Sequence, residues 1–134
     1  MKRVLFLCTH NSARSQVAEG LLRHLGNGSF QAFSAGTQAT QVRPEAIAVM
    51  AELGMDISQR ESKTLDRFLT EPFDEVITVC DQANEACPFF PHASNRRHWS
   101  IADPAGVVGT DHGRLAAFRT ARNTLQDRIE AELL

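Results

Sequence analysis

The sequence lacks several features that would assign a protein class at once. No stretch approaches the roughly 20 consecutive apolar residues of a membrane-spanning helix. The apolar run after the basic start MKR is too short for a signal-peptide core. The net charge of −2 gives no electrostatic reason to expect nucleic acid or a membrane surface as a partner. We therefore expect a cytoplasmic protein that binds neither.

Cysteine is scarce, with only Cys8, Cys80 and Cys87 in the chain. An odd number of cysteines in a small chain argues against a framework of structural disulfides. Reactive thiols, a metal site and inert buried thiols stay open. A zinc site built from Cys80, Cys87, His92 and His98 would need C-x6-C followed by H-x5-H, which is poor spacing for zinc ligands. We predict no bound metal.

What the sequence does contain indicates one globular domain. Its 134 residues are enough for one domain with a core and too few for two ordinary ones. Hydrophobic residues make up 43% and charged residues 22%, as is typical of globular chains. We predict a single domain over residues 1–134, and we expect a monomer.

Strand and helix patterns alternate along the chain. Short apolar or β-branched runs predict strands at residues 3–7, 29–36, 74–80 and 96–101. Helical spacing predicts three helices, at residues 14–25, from Pro44 to Gly54 with Ile47, Met50 and Leu53 on the apolar face, and around residues 115–133. This alternation predicts an α/β fold, with a four-stranded parallel sheet flanked by helices on both faces.

Two cysteines directly follow predicted strands. Ligands of parallel α/β sheets bind outside the carboxyl ends of the strands. If the first and third strands are neighbours, about 5 Å apart, Cys8 and Cys80 lie at the same edge of the sheet. This placement is the first indication of chemistry.

The segment CTHNSARS at residues 8–15 joins the first strand to the first helix. Such a loop directs backbone amides and the positive end of the helix dipole at one point. In the spacing C-x5-R, the Arg14 guanidinium can bind two oxygens of a tetrahedral oxyanion. The same field favours a thiolate, so we predict that Cys8 is a nucleophile.

The residues between Cys8 and the helix suit this interpretation. Asn11 tolerates a left-handed backbone, and Ser15 can donate its hydroxyl to the thiolate. The predicted oxyanion-binding residues are Thr9, His10, Asn11, Ser12, Ala13, Arg14 and Ser15. From these residues alone, a buried cysteine beside a solvated arginine stays open as the alternative.

Cys80 and Cys87 lie seven residues apart. If the residues between them form a helix, the two Cα atoms are about 10 Å apart, whereas a disulfide needs them within about 7 Å. A Cys80–Cys87 disulfide would therefore require this segment to unwind, and Pro88 cannot extend the helix normally. Two unrelated buried thiols are the alternative.

Six stretches occur in the order VLFLCTHNSARSQVAEGLL, FSAGT, LGMDIS, VCDQANEACPFFP, HW and DPAG. In them the chain resembles the low-molecular-weight protein tyrosine phosphatase fold, and within that fold it is similar to the thioredoxin-coupled arsenate reductases. The resemblance covers nearly the whole chain. His10 and Ala13 depart from it, because relatives often carry glycine and cysteine there.

The resemblance implies a three-thiol relay. Cys8 attacks arsenate, Cys80 then attacks the Cys8 sulfur and arsenite leaves, and Cys87 finally forms a disulfide with Cys80. Thioredoxin, as external reductant, would restore the thiols without a tightly bound cofactor, and phosphate or sulfate could compete with arsenate. The resemblance also implies that Asp103 protonates the departing oxygen, although an Asp-Pro pair is as common as a turn starter.

Asn11, Glu19 and Ser34 match positions that help to hold a monovalent cation in some of these reductases. Lys63 aligns with the fourth such position, an aspartate in those proteins. Our hypothesis is that the Lys63 ammonium replaces the cation, so that potassium is not needed. A solvated surface lysine is the alternative.

Two other functions stay open at this point. A low-molecular-weight protein tyrosine phosphatase would use Cys8, Arg14 and Asp103 in the same roles and would hydrolyse a cysteinyl phosphate with water. The Cys80/Cys87 pair argues against it, as does the absence of aromatic residues after Asp103-Pro104. The other is a non-catalytic oxyanion-binding or partner-binding module, against which the intact Cys8, Arg14 and Asp103 set argues.

Overall fold

A computed structural model describes residues 1–87 and 89–134, so the prediction for Pro88 lies outside the described residues. Strands and α-helices alternate, as the sequence predicts. The strands are β1 (Lys2–Cys8), β2 (Phe30–Gly36), β3 (Phe73–Thr78) and β4 (Ala93–His98). The α-helices are α1 (Arg14–Leu25), α2 (Pro44–Ala51), α3 (Asp81–Ala86) and α4 (Asp111–Glu132). Two 3₁₀ helices span Leu65–Phe68 and Pro104–Gly106.

The four strands form one parallel sheet in the order β2-β1-β3-β4. The chain leaves β1 toward one side to form β2 and crosses to the other side for β3. β1 and β3 are therefore neighbours at the point where the strand order reverses, which is where open α/β sheets bind ligands. Their register pairs Leu7 with Thr78. The predicted fold class and the predicted adjacency of the first and third strands are confirmed.

Alternating side chains of the buried strands divide the core in two. Val4, Phe6 and Ile77 point to the face that carries α1, α2 and α4. Leu5 and Leu7 point to the other face, where the 3₁₀ helix Leu65–Phe68 and several aromatic rings cover them. Helices thus flank both faces, but the second face carries a 3₁₀ helix and a thinner layer.

Several element boundaries differ from the sequence predictions. β3 ends at Thr78, so Cys80 lies two residues beyond the strand and caps α3. β4 begins at Ala93, earlier than predicted. The prediction that Leu53 faces the core is wrong, because α2 ends at Ala51 and Leu53 is 38% exposed. None of the helices within residues 1–87 and 89–134 is long and apolar enough to cross a membrane.

Helices α2 and α4 are joined by a carboxylate between two guanidinium groups. Glu52, just after α2, accepts hydrogen bonds from Arg119 Nη2 at 2.6 Å and from Arg122 Nη1 at 2.9 Å. Arg122 is buried and also donates to the Val49 carbonyl oxygen at 2.7 Å. The hydrogen bond from Arg119, with the neighbouring Arg122, lowers the pKa of Glu52 from 4.5 to about 2.

We predict that Glu52→Gln lowers the melting temperature at pH 7. The lowered pKa means that the carboxylate stabilises the fold above pH 4.5 and loses this effect as the pH falls through about 2. Thermal denaturation of both proteins from pH 7 to pH 2 should therefore show a difference that shrinks with acidification. A difference that stays constant over this range would contradict the assignment.

Candidate active site

Cys8 ends β1 as a buried side chain with a defined hydrogen-bond partner. Its Sγ lies 2.7 Å from Ser15 Oγ. Ser15 Oγ in turn accepts a hydrogen bond from Asn11 Nδ2 at 2.8 Å. Because the hydroxyl already accepts from Asn11, its hydrogen is available for the sulfur. A hydroxyl that donates to sulfur stabilises the thiolate, which is the role predicted for Ser15.

The orientation of the Asn11 side chain follows from one backbone contact. Asn11 Oδ1 accepts hydrogen bonds from the Lys63 backbone N–H at 2.9 Å and from Gln16 Nε2 at 2.8 Å. A backbone N–H can only donate, so the atom facing Lys63 is the oxygen, and the amide nitrogen faces Ser15. Asn11 adopts φ = 50°, the left-handed conformation that the sequence predicts.

The carbonyl groups of the loop between β1 and α1 are turned outward. The Thr9 carbonyl accepts from Gln38 N at 2.9 Å, the His10 carbonyl from Ser62 Oγ at 2.7 Å, and the Ser12 carbonyl from Arg43 N at 2.8 Å. In a planar trans peptide, the amide that follows each carbonyl points the opposite way, so these loop amides point away from the three donors.

The N-terminus of α1 is prepared for an anion. It has no capping side chain and no acidic residue in its first turn, so its amides and its dipole remain available. The Arg14 guanidinium is fixed beside it by a 2.7 Å hydrogen bond from Nη1 to the Ile101 carbonyl. Asp103 Oδ1 lies 3.9 Å from Arg14 Nη2 and accepts from Ala105 N at 2.9 Å.

These groups surround a cleft of about 210 Å³. Its lining residues are Cys8, His10, Ser12, Ala13, Arg14, Arg43, Asp103, Ala105 and Gly106. The remaining predicted loop residues lie elsewhere: Asn11 and Ser15 are buried behind Cys8, and Thr9 turns toward Cys80. The arrangement offers a buried thiol, a guanidinium, the uncapped N-terminus of α1 and a carboxyl group around one small space.

Cys80 is buried against the loop that carries Cys8. Its Sγ lies 3.4 Å from Thr9 Oγ1 and accepts from the Ala83 backbone N–H at 3.4 Å. Cys8 and Cys80 belong to the same core cluster. The second cysteine thus lies at the carboxyl edge of β3 beside the loop that carries Cys8.

Cys87 lies at the other end of α3, so the segment between the two cysteines is helical, which the sequence leaves as a condition. Its backbone is extended, at φ −68° and ψ 121°, and its side chain packs against the core cluster on the opposite face of the sheet from Cys80. Burial raises the pKa of the Cys87 thiol. In this conformation the third thiol is therefore separated from Cys80 and disfavoured as a thiolate.

The Glu19 carboxylate, which the sequence predicts to lie near a monovalent cation, pairs with an arginine side chain. Glu19 is 2% exposed, accepts from Ser34 Oγ at 2.9 Å and pairs with Arg60. Lys63 Nζ instead donates to the Glu61 carbonyl at 3.1 Å, and burial lowers the pKa of this ammonium to about 8. Outside position 88, no group of three or more His, Cys, Asp or Glu side chains is arranged to hold a metal ion.

Arg43 and Arg60 were not among the residues that sequence reasoning selected. Arg43 had a local signal, because it immediately precedes Pro44, where the sequence predicts the start of a helix. Arg60 lies in a segment without periodicity, and its partner Glu19 is 41 positions earlier in the chain (60 minus 19). No local pattern indicates that pair.

Comparison with known proteins agrees with this geometry. The low molecular weight phosphotyrosine protein phosphatase family matches residues 3–133, and the chain belongs to that family. Within it, the chain is similar to arsenate reductases, as the sequence predicted. It is 41% identical to the arsenate reductase of Halalkalibacterium halodurans over 129 residues, which are 96% of this chain and 93% of the relative. The Bacillus subtilis arsenate reductase is 36% identical over the same shares.

Solved structures give the same result. An arsenate reductase in the phosphate-binding state superimposes with a TM-score of 0.84 at 36% identity, covering 98% of this chain and 95% of the other. An arginine phosphatase from Geobacillus stearothermophilus has a TM-score of 0.76 at 24% identity, covering 97% of this chain and 89% of the other. The second likeness shows only the fold.

Gly36, at the end of β2, allows the Cys8 loop to pass over the sheet edge. A Cβ at this position would lie 2.7 Å from both the Thr9 carbonyl oxygen and the Asn11 nitrogen. We predict that Gly36→Ala displaces the loop, with a loss of about 1–3 kcal/mol in the free energy of unfolding and a loss of oxyanion binding. Chemical denaturation and phosphate titration measure the two effects.

Gly113→Ala is the matched control. A Cβ at Gly113 would meet only the Thr110 side chain, at 3.5 Å, which is an ordinary contact in the first turn of α4. This variant should be as stable as the parent or slightly more stable. Equal stability of the two alanine variants would show that the close approach at Gly36 does not constrain the loop.

Proposed function

We propose that this chain reduces arsenate to arsenite, with Cys8 as the nucleophile and Cys80 and Cys87 as the thiols that supply two electrons. One observation carries the reductase function over the phosphatase one: Cys80 is buried against the nucleophile loop, with Thr9 Oγ1 3.4 Å from its sulfur. A phosphatase needs only water to attack the phosphorus atom, whereas a reductase needs a second thiol close to the loop that carries Cys8.

The first step is the attack of the Cys8 thiolate on arsenate bound at the loop amides and Arg14. A sulfur–arsenic(V) bond forms and one oxygen leaves as water after protonation. Asp103, which lines the cleft 3.9 Å from Arg14 Nη2, is the proposed proton donor. Ser15 lowers the cost of the thiolate by donating its hydroxyl hydrogen.

In the second step, the Cys80 thiolate attacks the Cys8 sulfur. The sulfur–arsenic bond breaks, and its electron pair reduces arsenic(V) to arsenite while a Cys8–Cys80 disulfide forms. Cys87 then attacks the Cys80 sulfur, which releases the Cys8 thiolate and leaves a Cys80–Cys87 disulfide. An external dithiol, for which thioredoxin is our proposal, reduces that disulfide. We infer that this cycle runs in the cytoplasm, on a single-domain monomer.

The relay is tested by arsenate-dependent NADPH oxidation with thioredoxin and thioredoxin reductase. Wild-type protein should turn over, and Cys8→Ser, Cys80→Ser and Cys87→Ser should each fall to the uncatalysed background, because every thiol is needed once per cycle. Wild-type protein that is inactive here but hydrolyses p-nitrophenyl phosphate, with only Cys8→Ser inactive, would instead establish a phosphatase.

Formation of the Cys80–Cys87 disulfide requires α3 to leave its present position. Polar contacts tie α3 to the segment that begins with β4. Asp81 Oδ1 accepts from His98 Nε2 and from Ser100 Oγ, both at 2.9 Å, while Arg96 Nη2 donates to the Asn84 carbonyl at 2.8 Å. The hydrogen bond from His98 is also the main cause of the lowered pKa of Asp81. These contacts stabilise the helical state, so they oppose formation of the Cys80–Cys87 disulfide.

We predict that Ser100→Ala forms this disulfide about threefold faster, since one hydrogen bond is worth about 0.5–1.5 kcal/mol. Hydrogen exchange of the amides of residues 81–86 in the reduced protein should accelerate in parallel. Ser94→Ala, which changes an exposed serine of β4, is the control and should alter neither rate. Unchanged exchange in Ser100→Ala would contradict this restraint on α3.

A further inference from the structure

Arg43 occupies a position that the mechanism above does not use. It lines the same cleft as Cys8 and Arg14, and it also lines a groove of about 470 Å³ beside that cleft. His10 and Ser12 border both spaces. The Arg43 backbone is fixed to the nucleophile loop by the 2.8 Å hydrogen bond from its N–H to the Ser12 carbonyl. We propose that Arg43 is a second substrate-binding guanidinium, which binds the oxyanion together with Arg14.

The Arg43 guanidinium has donors available for a ligand. A guanidinium carries five N–H donors. Among the residues that the structure describes, its only side-chain partner is Glu45, with Nη1 3.5 Å from Oε2. Glu45 is shared with Arg114, whose Nη2 lies 3.4 Å from the same oxygen. One carboxylate therefore balances two guanidinium groups, and a positive charge remains at the edge of the cleft.

The negative charge of the oxyanion favours a second guanidinium in the cleft. A tetrahedral oxyanion of this class carries more than one negative charge near neutral pH. Arg14 uses one N–H on the Ile101 carbonyl, and its charge is partly offset by Asp103 at 3.9 Å. With Arg14 alone, one guanidinium would meet an anion that carries more than one negative charge. Arg43, which lines the same cleft, supplies a second positive charge.

This inference rests on the proposed function, and direct binding tests it apart from turnover. Inorganic phosphate serves as the probe, and Cys8→Ser is the parent protein, so no reaction occurs during the titration. Isothermal titration calorimetry at low ionic strength compares the parent with added Arg43→Gln, Arg43→Lys, Glu45→Gln and Arg128→Gln. Arg128 is a matched control, because it is an exposed arginine paired with Glu132 on α4.

We expect Arg43→Gln to raise the Kd for phosphate about tenfold, which is the loss of one charge-assisted contact. Arg43→Lys should fall between Gln and the parent, because it keeps the charge and loses the planar fork. Glu45→Gln should leave the Kd unchanged or lower it, and Arg128→Gln should leave it unchanged. In arsenate turnover, Arg43→Gln should raise KM with little change in kcat.

Three results would overturn the proposal. One is a Kd for Arg43→Gln within about twofold of the parent value, provided that its circular dichroism and melting temperature match. Another is an equal rise in Kd for Arg43→Gln and Arg128→Gln, which would reflect net charge alone. A parent protein that binds no phosphate would instead remove the oxyanion site itself, and the proposed function with it.

Discussion

The side chain of Asn11 is the constraint on which the site depends. It is fully buried, so each of its polar atoms must find a partner inside the protein. Its Oδ1 atom accepts hydrogen bonds from the Lys63 backbone N–H and from Gln16 Nε2, and its Nδ2 donates to Ser15 Oγ. Leaving one such atom without a partner costs about 1–3 kcal/mol. The Asn11 side chain therefore holds three parts together: the left-handed turn of its own loop, the segment at Lys63, and the Ser15 hydroxyl that faces Cys8.

The sheet topology then decides which thiols can meet. Because β1 and β3 are adjacent and parallel, Cys8 and Cys80 come to the same edge, and both are buried in one core cluster. Cys87 packs on the other side of the sheet. A relay among the three thiols would therefore join two residues of one core cluster in its first disulfide. For its second disulfide it needs a change in α3.

How much the sequence predicts follows from the range of the interactions. The bounds of α1, the parallel sheet and the C-x5-R loop come from local periodicity and from one strand–loop–helix unit, so sequence predicts them well. The contacts of Arg43 with Ser12 and of Arg60 with Glu19 join residues that are far apart in the chain. Local spacing therefore does not predict these contacts. Burial of Leu53 was mispredicted because the helical pattern continues past the residue where α2 ends.

The same loop between β1 and α1 can support hydrolysis or reduction. Two things decide between them: whether phosphorus or arsenic is bound to the Cys8 sulfur, and which nucleophile attacks next. In a cysteinyl phosphate, attack on sulfur would have to expel phosphorus with an electron pair that phosphorus(V) does not readily accept, so water attacks phosphorus. Arsenic(V) accepts that pair, so attack on sulfur becomes productive if a thiol is close. Cys80 is held beside the loop through Thr9 and the first turn of α3, where the proposed function needs a thiol that attacks sulfur. In the proposed function, the family fold therefore supplies the anion site, and the position of this second thiol directs the site to redox chemistry.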